Sequence, residues 1–323
     1  MQLRVEKLRV INLFGYKDIE LDLNEVTVLV GDNGTGKSTL LRIIHSLITL
    51  NDSDALRLCS RAEVWLSEGV RIIYTNYHTD DSKVVLKKAV IDTINANDFS
   101  TENINAAELL ELIQKKINSY DNGRKKDNFK VIYKKTRMAS VRYIKDFLND
   151  NSVEFISTID LSANSRLNFT TMEGEDANML DSYIAIELEK IYEHPNAIRR
   201  RNLMKELNRF LEGSQKSIKR ILGGLVIVCS RSGRLPFQSL SSGEKQLLFI
   251  LLKVANTLPR DAIFLMDEPE ISLHLNWQEM LIDSIHKINP AAQIIIVTHS
   301  PGIIMNGYRD AFRDMRNIEM DFK

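Results

Sequence analysis

What this chain lacks narrows its class before any motif is read. Only two cysteines occur, Cys59 and Cys229, and their spacing suits neither a metal site nor a redox pair, so no disulfide framework is available and a reducing, cytoplasmic setting is expected. An excess of one charge is missing too: 43 basic residues balance 43 acidic ones, which leaves no global field toward nucleic acid or membrane. Any such surface has to be local. Met1–Val5 alternate apolar and polar residues as a strand does, with no apolar core of a secretory signal. No apolar run reaches the ~18 to 20 residues needed to cross a bilayer. The stretch from Leu247 to Leu258 falls short and contains Lys253, so no membrane association is expected. Sustained heptads are absent, which excludes a long coiled coil, and neither an internal repeat nor a low-complexity tract occurs. With 44% hydrophobic residues the chain has ample material for a substantial core in one large or two modest domains.

What is present begins with Gly31-Asp32-Asn33-Gly34-Thr35-Gly36-Lys37-Ser38-Thr39, which fits G-x-x-x-x-G-K-[ST]. Such a loop binds phosphate through main-chain N–H groups and a helix N-terminus, with Lys37 adding a point charge at the β/γ-phosphates and Ser38 a hydroxyl for Mg²⁺. The flanking pattern is the one the motif requires. Val26, Val28, Leu29 and Val30 form a short apolar run before the loop, and Leu40, Leu41, Ile43, Ile44, Leu47 and Ile48 recur at helical spacing after it.

A second apolar run, Ala262–Met266, reads as a buried parallel strand ending in Asp267 and Glu268, at the sheet edge where open α/β folds bind ligands. Asp267 is expected to hold Mg²⁺, directly or through water, and Glu268 to face the γ-phosphate and polarise the attacking water. A third run, Ile294–Val297, ends in Thr298-His299-Ser300-Pro301, where proline suits the first turn of a helix and His299 would project toward Glu268. The catalytic set expected is thus Glu268, His299 and Lys37, with ATP and Mg²⁺ as cofactors.

Leu240-Ser241-Ser242-Gly243-Glu244 completes the pattern, with Ser241 and Ser242 able to cap a helix, Gly243 admitting close backbone approach and Leu247–Leu258 continuing as an apolar helix. This string resembles the signature motif of ATP-binding-cassette (ABC) ATPases, and the chain resembles their soluble branch, which includes Rad50, SMC and RecF proteins. Within it the chain is most similar to stand-alone ATPases of bacterial anti-phage systems, the Septu-type and retron-associated group. The resemblance covers roughly residues 1 to 50 and 235 to 307. It implies an α/β P-loop NTPase fold with an ABC-type core, a mixed sheet flanked by helices. It also implies that Ser241, Ser242 and Gly243 bind the γ-phosphate held by a second copy, in a head-to-tail homodimer around two ATPs. Ser272-Leu273-His274 matches the position of the D-loop, without the aspartate usual in transporters, which leaves His274 a weak candidate for a contact across the seam. No glutamine marks a Q-loop near Val153–Thr158, Asp160 and Ser162. Tyr16 is read as a buried aromatic of the N-terminal sheet in preference to an adenine-stacking ring.

Far more chain separates Lys37 from Ser241 than a compact helical domain needs. The expected organisation is a core of residues 1–60 and 218–323, with an α-rich insertion over 61–217 that also carries strands. Ala62–Leu66, Arg71–Tyr77 and Lys83–Ile91 read as strands, and Ala106–Ile117, Asp181–Tyr192 and Ala197–Leu211 as helices. From Lys115 to Lys145 basic residues crowd against only Asp121 and Asp127, with Tyr120, Phe129, Tyr133 and Tyr143 interleaved; the segment is either a DNA- or RNA-contacting surface or a solvated face. A second basic run, Arg199–Arg201 through Arg220, could extend it or pair with acidic residues of Glu173–Glu193.

Only Gly302–Lys323 follow the last motif, too few for a fused nuclease domain. The resemblance therefore implies a separately encoded effector, often a nuclease in such systems, that the ATPase restrains or licenses. The rival readings are a RecF/Rad50-like DNA-repair ATPase, the nucleotide-binding subunit of an ABC transporter, and a nucleotide-gated scaffold that scarcely hydrolyses ATP.

Overall fold

A computed structural model describes residues 4–76, 128–133, 137–138, 152–157, 168–170, 176–193, 197–221, 224–229, 231, 233–235 and 239–320. The chain opens on an antiparallel ribbon, β1 (Val5–Leu13) and β2 (Lys17–Asp22), in which Leu8 and Val10 point inward while Lys7 and Arg9 face out. Strand β3 (Val26–Val30) leads through the phosphate-loop sequence into α1 (Lys37–Thr49), whose apolar stripe from Leu40 to Ile48 is buried. A short helix, α2 (Asp54–Arg57), then gives way to β4 (Arg61–Leu66), β5 (Val70–Thr75), β6 (Phe129–Tyr133) and β7 (Arg137–Met138). Next come β8 (Ser152–Ser157), the small pair β9 (Asn168–Thr170) and β10 (Asp176–Asn178), and helices α3 (Met179–Glu193) and α4 (Ala197–Leu211). A three-stranded meander, β11 (Lys216–Ile221), β12 (Gly224–Cys229) and β13 (Gly233–Leu235), precedes α5 (Ser242–Thr257). The last elements are β14 (Ala262–Asp267), α6 (Leu275–Ile288), β15 (Gln293–Val297), β16 (Phe312–Asp314) and β17 (Glu319–Met320).

Two sheets organise these elements. Five parallel strands in the order β16-β3-β15-β14-β8 form the central sheet, and seven antiparallel strands in the order β17-β2-β1-β4-β5-β6-β7 form the other. Strand β14 is buried at every position, as a parallel strand covered on both faces must be. Its period-2 alternation then serves two cores. Phe264 and Met266 join the apolar cluster of α5, α4 and α6, whereas Ile263 and Leu265 join that of α1 and the antiparallel sheet. Parallel pairing brings the carboxyl ends of β3, β15, β14 and β8 to one edge, so Gly31, Thr298, Glu268 and Ser157 emerge side by side.

The structure corrects the expected organisation at residue 61. Strand β4 pairs directly with β1 and β5 with β4, while β8 pairs with β14, so strands placed in the insertion complete both core sheets. Tyr16 is also corrected: it is 63% exposed, with the Lys17 ammonium 5.5 Å from its ring, because it lies in the turn joining β1 to β2. The strand expected over Lys83–Ile91, the helix over Ala106–Ile117, Asp160 and Ser162 lie outside the described residues. So does most of the basic segment Lys115–Lys145, apart from residues 128–133 and 137–138.

Candidate functional site

The phosphate-loop sequence folds into a loop that ends in an uncapped helix start. Gly36 stands at the N-cap of α1 with φ near 100°, a left-handed conformation that costs glycine nothing, and a Cβ there would meet Phe14 Cε2 at 3.0 Å. No side chain caps this terminus, so the first N–H groups of α1 are available to an anion. Lys37 closes the loop from within: its Nζ donates to the carbonyl oxygens of Gly31 and Asp32, both at 2.9 Å. Burial pulls the pKa of this ammonium below the usual lysine range, against the opposing fields of Glu268, Asp267 and Asp32. Thr35 Oγ1 donates to Asp32 O at 2.9 Å, and Asp32, Asn33 and Gly34 form the exposed crest.

The acid pair meets this loop at the edge of the parallel sheet. Ser38 Oγ donates to Asp267 Oδ1 at 2.8 Å, and Asp267 is fully buried. Glu268 keeps one sheet contact, its N–H donating to Val297 O at 2.8 Å, while its φ of 51° turns the chain out of β14. A non-glycine residue in this region stores about 1–2 kcal/mol, a cost that persists where the surroundings over-determine the conformation. The turn brings Glu268 Oε1 to 3.5 Å from His299 Nε2, with both side chains partly open to solvent.

His299 is placed by a residue to which sequence reading assigned no role. Glu270, 8% exposed, accepts through Oε1 from the His299 N–H at 3.0 Å and from the Thr298 hydroxyl. Burial pushes the Glu270 carboxyl above the usual carboxylate range, more than those two bonds pull it down. Ser300 caps the following 3₁₀ turn, Pro301–Ile304, with proline in its first turn as expected. The available signal was the third acid of the Asp267-Glu268-Pro269-Glu270 string; its partner, Thr298, is distant in sequence.

At the start of α5, Ser241 Oγ accepts from the Glu244 N–H at 3.3 Å, and the Ser241 N–H donates to Glu244 Oε2 at 2.7 Å, a reciprocal capping box. Burial works against ionised Glu244, but Lys216 Nζ at 2.8 Å and the bonds from Ser241 outweigh it and hold its carboxyl below the usual range. Gly243 is buried where a Cβ would stand 2.3 Å from Ser272 O, while Ser241 and Ser242 remain exposed. Gln246 Nε2 donates to Pro269 O at 3.0 Å, a second tie from α5 to the loop after Glu268. Sequence reading missed Gln246 as well. Ser272 has φ 71°, and His274 is exposed at the N-cap of α6 with its ring 5.7 Å from that of Trp277.

The expected residues thus form two groups. Gly31–Thr39, Asp267, Glu268 and His299 gather at one sheet edge, whereas Ser241, Ser242 and Gly243 sit beside the Ser272 loop. Among the described residues no cluster of three or more histidine, cysteine, aspartate or glutamate side chains is arranged to hold a metal. The Ser38 hydroxyl and Asp267 carboxylate are instead two hard oxygen donors within 2.8 Å, a set that fits Mg²⁺, which takes few protein oxygens and completes its shell with water and phosphate.

Residues 26–306 match the family described as an AAA domain, putative AbiEii toxin of a type IV toxin–antitoxin system. The chain belongs to this AAA-domain family. It is 22% identical, over 98% of its length and 75% of the relative's, to a retron Vc95 probable ATPase of Vibrio cholerae serotype O1 biovar El Tor. A retron Ec83 probable ATPase of Escherichia coli is 23% identical over 94% of this chain and 69% of its own. The Septu protein PtuA of Bacillus thuringiensis is 22% identical over 93% and 72%. In fold, this AAA-domain protein is similar to an SMC head bound to the C-terminal winged-helix domain of ScpA, with a TM-score of 0.53 at 16% identity over 94% of this chain and 92% of that one. The SMC head domain of Thermotoga maritima gives a TM-score of 0.51 at 14% identity over 96% and 94%. Its fold is that of an SMC-head-like P-loop domain, and none of its described helices is long and apolar enough to cross a membrane.

Proposed function

We propose that this ATPase binds ATP and Mg²⁺, closes head to tail with a second copy around two nucleotides, and hydrolyses ATP to control a separately encoded effector in anti-phage defence. The observation that carries the chemistry is the pairing of Glu268 with His299 at 3.5 Å, beside the Ser38–Asp267 contact at 2.8 Å. Ser38 and Asp267 would hold Mg²⁺, which when bound supplies charge neutralisation at the β/γ-phosphates. Lys37 turns its ammonium from the Gly31 and Asp32 carbonyls to phosphate oxygens. Glu268 accepts the proton of the attacking water, and His299 donates a hydrogen bond to the γ-phosphate side of the reaction. Catalysis of this kind is mostly positioning and charge stabilisation, which suits groups fixed at strand ends.

The dimer reading draws support from Ser241–Gly243. Their helix start is set beside the Ser272 loop with both serines exposed, which suits an anion presented from outside. Kinship with the retron and Septu proteins supports the defence role and an effector partner, for which a nuclease is the chemistry proposed. The test is mass determination in solution with ATP and Mg²⁺ on the Glu268→Gln variant, together with co-purification from cells carrying the native neighbouring genes. A dimer dependent on ATP and a co-purifying second protein are expected. A monomer at saturating ATP would remove the sandwich.

A further inference from the structure

Gln278 lies in the first turn of α6, and its single side-chain amide reaches two loops that belong to different parts of the site. Nε2 donates to the Leu273 carbonyl oxygen at 2.9 Å, and Oε1 accepts from the Ser300 hydroxyl at 2.6 Å. Chemistry fixes this orientation: a main-chain carbonyl only accepts, so the amide nitrogen must face Leu273 and the oxygen is left for Ser300. Ser300 Oγ accepts in turn from the Gly302 N–H at 3.2 Å. The approach is close, since a Cβ on Gly302 would lie 2.7 Å from Gln278 Oε1.

Contacts continue outward from both ends of this amide. On one side the Ser300 turn carries His299, 3.5 Å from Glu268. On the other, Leu273 follows Ser272, whose carbonyl oxygen fills the space beside Gly243 at the start of α5. One side chain therefore joins the residue facing the chain's own nucleotide to the helix start that serves the partner's nucleotide. We infer that Gln278 is a positioning residue that keeps the His299 turn and the Ser272 loop in one register, so that a shift of His299 on loss of the γ-phosphate is carried to the clamp on the other ATP. This rests on the composite-site reading above.

The test uses the full chain. Gln278→Leu removes both bonds while filling much of the same volume, and Ser300→Ala breaks the link from a different element. In steady-state assays each is expected to lower kcat roughly tenfold, with KM for ATP and binding of a non-hydrolysable analogue within about twofold of wild type. The double variant is expected to be no worse than the worse single, because both break one link. Additive losses, wild-type kcat in either single variant, or nucleotide binding that falls in parallel with kcat overturns the inference. If Gln278→Leu does not fold, Ser300→Ala alone decides, and its wild-type kcat is the overturning result. Failure of the underlying reading has another signature: the Glu268→Gln variant then stays monomeric at saturating ATP and Mg²⁺, whatever Gln278 does.

Discussion

The carbonyl oxygen of Ser272 stands 2.3 Å from where a Cβ on residue 243 would be, so the start of α5 and the loop before α6 are in backbone contact that only glycine permits. Trp277 closes the same spot from behind, 3.8 Å from that Cβ position and edge-on to Phe210. The contact defines where the exposed Ser241 and Ser242 sit relative to the acid pair's loop.

Gly243→Ala separates packing from propensity. Alanine is a better helix former than glycine by about 1 kcal/mol, so on propensity alone the variant would be stabilised. The clash with Ser272 O predicts the reverse: a lower melting temperature and turnover reduced at least tenfold, with binding of a fluorescent ATP analogue to the phosphate loop little changed. Calorimetry and ATPase assays check both signs, and a more stable, fully active variant would show that the Ser272 loop yields freely.

Glu268→Gln keeps size and hydrogen bonding but removes the proton acceptor. We expect kcat to fall by about 10² to 10⁴ with ATP still bound, whereas Lys37→Ala weakens ATP binding itself. Single-turnover hydrolysis and equilibrium dialysis distinguish the two.

Glu270 makes a pH-dependent prediction. Its folded pKa is raised by burial, so the native state binds more protons than the unfolded chain in the window above the ordinary carboxylate value, and this group's contribution to stability worsens as pH rises through that window. Glu270→Gln retains an acceptor for Thr298 and His299 without the buried charge. Its stability relative to wild type is expected to be greater at pH 8 than at pH 5 by urea denaturation. Glu270→Ala leaves both donors without that oxygen and is expected to cost about 2–3 kcal/mol at pH 5 and less at pH 8, with the same sign of pH dependence.

Glu244 has the opposite sign. Its folded pKa is depressed, so its stabilising contribution is present above the unfolded carboxylate value and is lost as pH falls through the folded one. Lys216→Met removes the ammonium that offsets its burial and is expected to destabilise by about 2 kcal/mol at pH 7. The difference from wild type should shrink on acidification through the carboxylate range, as equilibrium unfolding at several pH values would reveal.

Much of the site was legible because it is local. The phosphate loop, the acids at the end of β14 and the histidine after β15 each follow a short apolar run within a few residues, and periodicity placed α4 at Ala197–Leu211. Helix α3 runs from Met179 to Glu193, slightly beyond the Asp181–Tyr192 expected from spacing, since end turns carry little periodic signal. Tyr16 was misread because an aromatic between strand-like segments has the same local pattern whether its turn faces the core or solvent. Strands β4 and β5 were assigned to an insertion because the pairing of β4 with β1, which carries β5 into the same sheet, is non-local.

The amino-acid order alone determined which groups could meet a triphosphate, since glycine spacing, a lysine and strand-terminal acids are properties of a few adjacent residues. Only the tertiary structure decided how those groups hold one another: Glu270 on His299, Gln278 between Leu273 and Ser300, and Ser272 against Gly243. Each of these contacts joins residues on different elements, and their distances depend on how the parallel strands align and how α5 and α6 lie on them, which no local pattern encodes.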